Sequence, residues 1–216
     1  MAQNRIISYD YLLKYIIIGD SYVGKSTILR KFVHGEFNKE YQATIGVEFG
    51  VKNIDIKNKT YRIQIWDTAG QENYKSITKS YYKHSACSII VYDITSQKSF
   101  QNVLSWIEDC KRECSKSVFM ILVGNKIDLE DKREVTTEEG QELAERYNML
   151  FLETSALKGD YIQELFTKSV EEISKKIEKG EYDLEDKDSG IQEGSKGKKN
   201  IDIKKSDTKK KKKKFC

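Results

Sequence analysis

Apolar side chains along this chain follow two rhythms. Short apolar or alternating runs at residues 10–18, 47–51, 61–65, 88–92, 118–123 and 149–153 have the length and β-branched content of strands. Residues 25–33, 99–114, 136–147 and 160–177 instead place apolar side chains at every third or fourth position, as a helix with one buried face does. Ile28, Leu29 and Phe32 make such a stripe, and so do Phe100, Val103, Trp106, Ile107 and Cys110. Ile162, Leu165, Phe166, Val170, Ile173 and Ile177 make the last one. Val47, Phe49 and Val51 alternate, as do Tyr61, Ile63 and Ile65, and the intervening Lys57-Asn58-Lys59 predicts a hairpin. Elsewhere strand and helix take turns, which requires a mostly parallel sheet. The pattern predicts an α/β fold: six strands, helices on both faces, and ligands at the carboxyl ends of the strands.

Those strand ends carry the candidate chemistry. Tyr15-Ile16-Ile17-Ile18 breaks into Gly19-Asp20-Ser21-Tyr22-Val23-Gly24-Lys25-Ser26, which fits G-x-x-x-x-G-K-[ST]. Glycines let successive amide N–H groups face one point, and the helix start adds partial positive charge, so the loop suits a polyphosphate. Lys25 would reach the terminal phosphates and the Ser26 hydroxyl would take a magnesium ion. The strand at 61–65 delivers Asp67, placed to hold the same ion directly or through water. In the following Thr68-Ala69-Gly70-Gln71-Glu72, Gly70 offers an N–H to a terminal phosphate and the Gln71 amide can orient an attacking water. The strand at 118–123 runs into Gly124-Asn125-Lys126-Ile127-Asp128. The Asp128 carboxylate can accept from the N1–H and exocyclic amine of guanine, a donor pair that adenine lacks. The Lys126 stem can lie along the base, the Asn125 amide can tie loops together, and the backbone amides of Thr154-Ser155-Ala156 can meet the guanine carbonyl.

Together these motifs resemble a small GTPase of the Ras superfamily, with its P-loop G domain. The residues between them resemble the Rab family: Ile45-Gly46-Val47-Glu48-Phe49, Ile63 to Glu72 around Trp66-Asp67-Thr68-Ala69-Gly70-Gln71, Tyr81-Tyr82 and Val91-Tyr92-Asp93-Ile94-Thr95. The resemblance covers roughly residues 10 to 177. It implies that Thr44 closes on magnesium and the terminal phosphate, and that Phe37 packs on the base edge. It also implies that effectors dock on Ile45, Gly46, Val47, Phe49, Trp66 and Tyr81. Mg2+ is the implied cofactor, and GTP and GDP are the implied ligands, with slow hydrolysis helped by a GTPase-activating protein. A guanine nucleotide exchange factor, effectors and a prenyl-binding chaperone are the implied protein partners. Glu48, where the family more often has Asp, resembles the branch acting between endoplasmic reticulum, Golgi and early endosomes. The chain departs from the family pattern at Tyr22, where a small residue is usual, and at Asn73, usually Arg. It departs again at Lys83-His84-Ser85, usually Arg-Gly-Ala, and at Leu157, beside the base, usually Lys. Crowding of the phosphates by Tyr22 would favour a nucleotide-binding scaffold that hydrolyses nothing.

Composition adds an asymmetry. With 216 residues and 38% apolar content the chain can bury one core, read as a GTP-binding domain at 10–177 after an N-terminal extension at 1–9. The net charge of +4 hides a tail: residues 196–216 hold eleven Lys against two Asp, whereas residues 178–195 hold seven acids against two Lys. The body is thus about neutral. Residues 178–216 lose apolar periodicity and read as disordered. The lysine run at 209–214 and Cys216 suit a membrane surface twice over, through charge and through prenylation of the cysteine, since one lipid chain anchors only marginally. A nuclear or nucleic-acid-associated GTPase using the lysines is the alternative; the neutral body and Cys216 count against it, and no nucleic acid is expected. Nothing near Met1 reads as a secretory signal, so the expected location is the cytoplasmic face of endomembranes, Golgi or endosomal, in exchange with the cytosol. The four cysteines make neither a disulfide framework nor a zinc site, and Cys110 and Cys114 read as packed thiols.

Overall fold

In a computed structural model, which describes residues 8–35, 46–68 and 80–194, the first apolar run lies at the centre of the sheet. The elements are β1 (Tyr11–Gly19), α1 (Lys25–His34), β2 (Val47–Ile56), β3 (Lys59–Thr68), β4 (Cys87–Asp93), α2 (Gln97–Gln101), α3 (Val103–Glu113), β5 (Phe119–Asn125), α4 (Thr137–Arg146), β6 (Leu150–Thr154), α5 (Ile162–Glu178) and β7 (Ile191–Glu193). Strands run in the order β2-β3-β1-β4-β5-β6. Only the β2–β3 hairpin breaks the parallel run. Its turn residues Lys57 and Asn58 both have positive φ, 47° and 66°, the twist that a two-residue hairpin needs.

Because side chains alternate across a strand, β1 serves two cores. Tyr15 and Ile17 face α1 and α5 with Ile28, Phe32, Leu165, Phe166 and Val170. Ile16 and Ile18 face the other way, with Val103, Trp106, Ile107 and Ala144. Phe32 stacks on Phe166 with ring centroids 3.8 Å apart, which locks α1 to α5. The four sequence-derived helices are present with shifted ends. Thr136 caps α4 in a reciprocal pair with Glu139, so the helix proper begins one residue later. The span expected at 99–114 is assigned as α2 and α3, with Ser96 accepting from Ser99 N–H to start α2 and Asn102 joining the two with helical φ and ψ. Among the described residues the cysteines are free, and Cys110 lies 3.5 Å from Cys114, sulfur to sulfur, as packed thiols.

Residues 178–216 were expected to be disordered; over 178–194 the structure differs, and residues 195–216 lie outside the described residues. After α5 the chain turns at Gly180 (φ 72°), buries Tyr182, and adds β7 antiparallel to β1, Ile191 opposite Leu13. Lys14 N–H donates to Gly190 C=O at 3.0 Å, and Gly194 N–H to Asp10 C=O at 2.8 Å. Gly190 has φ 70°, and a Cβ there would sit 2.3 Å from Ala86 N, so only glycine fits. His84, at φ 57° in a position where the Rab pattern has glycine, pairs with Asp188 at 2.7 Å. The body therefore extends to Gly194 as a seven-stranded sheet. The lysine run and Cys216 lie outside the described residues. No helix among the described residues is long and apolar enough to cross a membrane.

Candidate functional site

The loop between β1 and α1 has the backbone its glycines predict. Gly19 (φ 140°) passes so close to β4 that a Cβ would lie 2.2 Å from Val91 C=O. Gly24 (φ 101°) leaves no room beside the Asn125 amide. Helix α1 opens on Gly24 with no side-chain cap and no acid in its first turn, so its first amides are left for an anionic ligand. Tyr22 carries φ 69°, a region that costs a side-chain-bearing residue about 1–2 kcal/mol and that glycine alone enters freely. Its ring is 61% exposed, so it leans toward solvent and does not fill the loop.

Lys25 is buried, and its ammonium donates to the carbonyls of Gly19 at 3.0 Å and Asp20 at 2.7 Å, folded across the mouth of the loop. Burial lowers its pKa, while Asp67 and Asp20 oppose the shift. The Ser26 hydroxyl donates to Asp67, whose carboxyl is wholly buried. Burial pushes that carboxyl up to about 6, against the pull of Lys25 and Ser26. The second Asp67 oxygen has no hydrogen-bond partner among the described residues. A hydroxyl and a buried, half-satisfied carboxylate are hard oxygen donors, and they fit a magnesium ion shared with nucleotide phosphates. Ser26 and Asp67 would hold such an ion, which would neutralise charge on the phosphates. Thr44, Gly70 and Gln71, along with Phe37 and Ile45, lie outside the described residues.

At the far end of β5 the base-reading loop is cross-braced. Asn125 is 1% exposed; its amide donates to Val23 C=O at 2.8 Å and accepts from the Thr154 hydroxyl and Ala156 N–H, each at 3.1 Å. The phosphate loop and the 154–156 loop are thus tied through one side chain, as expected of Asn125. Lys126 (φ 76°) pairs with Asp93 at 2.6 Å, a partner that sequence reasoning did not supply. Asp128 accepts from the Ser155 hydroxyl at 2.5 Å, and that hydroxyl in turn accepts from Lys158 N–H. The Ser155 hydroxyl thereby fixes the direction of the Asp128 carboxylate. Ser155 N–H goes to Asp160 C=O, and Ala156 N–H is the donor to Asn125. Both amides thus have an acceptor within the protein. Leu157 is 46% exposed beside them.

The expected docking aromatics are contiguous. Phe49, 48% exposed, lies 4.7 Å from the Trp66 ring, and Trp66 lies 5.1 Å from Tyr81. Gly46 and Val47 lead into the same strand as Phe49, while Glu48 turns away to a two-pronged pair with Arg30. Sequence reasoning placed Trp106 in the core and gave Asn102 no role. Both side chains in fact reach the phosphate loop: Trp106 Nε1 and Asn102 Nδ2 each donate to Asp20 at 2.7 Å. No local motif marks either residue.

The candidate phosphate loop, the oxygen donors Ser26 and Asp67 and the loop at residues 125–128 share one end of the sheet, and this defines the class: a nucleotide-binding domain with donors that fit a hard cation. Comparison with known families then supplies the particular one. Residues 14–175 match the Ras family, and the chain belongs to that family of small GTPases. It is accordingly a guanine-nucleotide-binding regulator of a family whose members hydrolyse GTP.

Proposed function

We propose that this small GTPase is a Rab-type switch of intracellular vesicle traffic, which recruits effectors to an endomembrane when it holds GTP. The observation that carries the reading is the aromatic cluster of Phe49, Trp66 and Tyr81 on a body of nearly neutral charge, joined to a lysine-rich tail that ends in Cys216. Phe49 and Trp66 sit opposite each other in the β2–β3 hairpin, so effector side chains would meet rigid strands. Gln71 would orient the attacking water. No arginine is placed by any motif at the terminal phosphate, so a GTPase-activating protein would supply one, worth about 10³ to 10⁵ in rate. An exchange factor would reload GTP, and a prenyl-binding chaperone would carry the lipidated form through the cytosol.

In cells, tagged protein should decorate Golgi or endosomal membranes, and Cys216→Ser should disperse to the cytosol. GTP-loaded Gln71→Leu protein should retain partners from which Trp66→Ala is released. Nuclear accumulation of Cys216→Ser and wild type alike would favour the lysine run as an import signal, and would refute the traffic reading. Hydrolysis by Tyr22→Gly alone, with none by wild type under single turnover, would make the chain a nucleotide-binding scaffold.

A further inference from the structure

An acidic residue inside a phosphate loop calls for an explanation, because its charge opposes that of the ligand. Asp20 has one in the structure. One carboxylate oxygen accepts from Trp106 Nε1 and the other from Asn102 Nδ2, both at 2.7 Å, so both oxygens are turned toward the α2–α3 junction. Asn102 and Trp106 are one helical turn apart, and side chains at that spacing share a face. Trp106 is 5% exposed and its ring is packed among Val103, Ile107 and Tyr82, so its N–H is held in place. Asn102 stands at the α2–α3 junction with helical φ and ψ, and its side chain makes no bond to α3 and goes to Asp20. The loop is braced a second time at its far end, by Asn125 on Val23 C=O. Lys25 bonds the carbonyl of Asp20 itself, so the clamped residue also positions the lysine ammonium.

We propose that Asn102 and Trp106 are positioning residues for phosphate binding: by gripping the Asp20 carboxylate they hold the loop amides and Lys25 in the register that a diphosphate requires. The inference rests on the reading of residues 19–26 as the phosphate loop. Preorganised donors bind better than donors that must be ordered on binding, so loosening the grip weakens the hold on phosphate while leaving the base-reading loop untouched.

The test is a double-mutant cycle on the rate of GDP release from the full chain with magnesium present, using fluorescently labelled GDP. Trp106→Phe keeps an aromatic ring in the core and removes the pyrrole half of the indole with its N–H. It should speed release about tenfold, and Asp20→Ala, which removes the Asn102 contact as well, should speed it at least as much. Because Asp20→Ala already removes the contact that Trp106→Phe removes, the double variant should be no faster than Asp20→Ala alone. In ³¹P spectra of bound GDP the β-phosphate resonance should shift in Trp106→Phe, a change that mere loss of core packing would not produce. Should Trp106→Phe fold poorly, Asn102→Ala, at a half-buried junction, replaces it in the cycle. Unchanged release rates, additive effects, or an unmoved β-phosphate resonance would overturn the proposal. A wild-type chain that retains no guanine nucleotide would instead refute the nucleotide site itself.

Discussion

Magnesium affinity should fall steeply on mild acidification, and Asp67 should be the cause. Its carboxyl is completely buried, and burial, the largest influence on it, raises its pKa from 3.8 to about 6 despite Lys25 and Ser26. That displacement corresponds to about 3 kcal/mol of preference for the neutral form. A folded-state value above the unfolded one stabilises the protein at low pH. In protein without the cation, this contribution is complete below about pH 3.8 and is lost as the pH rises through about 6. A bound cation reverses the balance by taking the charged form. Proton and magnesium therefore compete, and with a pKa of about 6 the apparent affinity should drop about twofold at pH 6 and about elevenfold at pH 5 relative to pH 8. A carboxylate titrating at 3.8 would lose only about 6% of its affinity at pH 5. Calorimetric titration of magnesium into GDP-loaded protein, in buffers of differing ionisation enthalpy, should show about half a proton released per ion at pH 6. The nucleotide's own phosphate titration is subtracted with free GDP, and Asp67→Asn should flatten the remaining pH dependence. An affinity that holds steady from pH 8 to pH 5 after that correction would refute the assignment of Asp67 as a buried cation ligand.

Asp128→Asn should move preference from guanine toward xanthine, since an amide presents a donor where the guanine amine needs an acceptor; equal GTP and XTP affinities before and after the change would show that the base is read elsewhere. Phe166→Ala should destabilise by about 3–5 kcal/mol, because it empties the stacked contact with Phe32 beneath β1, and a denaturant midpoint shifted by less than a third of that would mean the site collapses readily. Gly190→Val should abolish amide protection across β7 while guanine nucleotide stays bound, because a Cβ cannot fit against Ala86; retained protection by hydrogen exchange would show that residues 84–86 can give way.

Much of this protein is legible in the sequence, for a physical reason. The phosphate loop, the Asn125-Lys126-Ile127-Asp128 turn and the alternating strands are encoded over short spans, where glycine placement, side-chain period and donor chemistry act between neighbours. A mostly parallel sheet with helices on both faces then follows from chain-level rules, and the strand order comes from the structure. Only the tertiary structure decided what distant residues do to one another. Trp106 reads as one more apolar position of a helix, yet its N–H reaches a loop 86 residues earlier. Ser155 reads as part of a base-facing loop, and the structure adds a bond from its hydroxyl to Asp128. The segment after Glu178 reads as a charged tail because its two buried anchors, Tyr182 and Ile191, are too far apart to form a periodic stripe. What orders that segment is the unpaired lower half of β1 and the turn at 84–86, which present a sheet edge and a glycine-sized gap, and neither exists until the rest of the chain has folded.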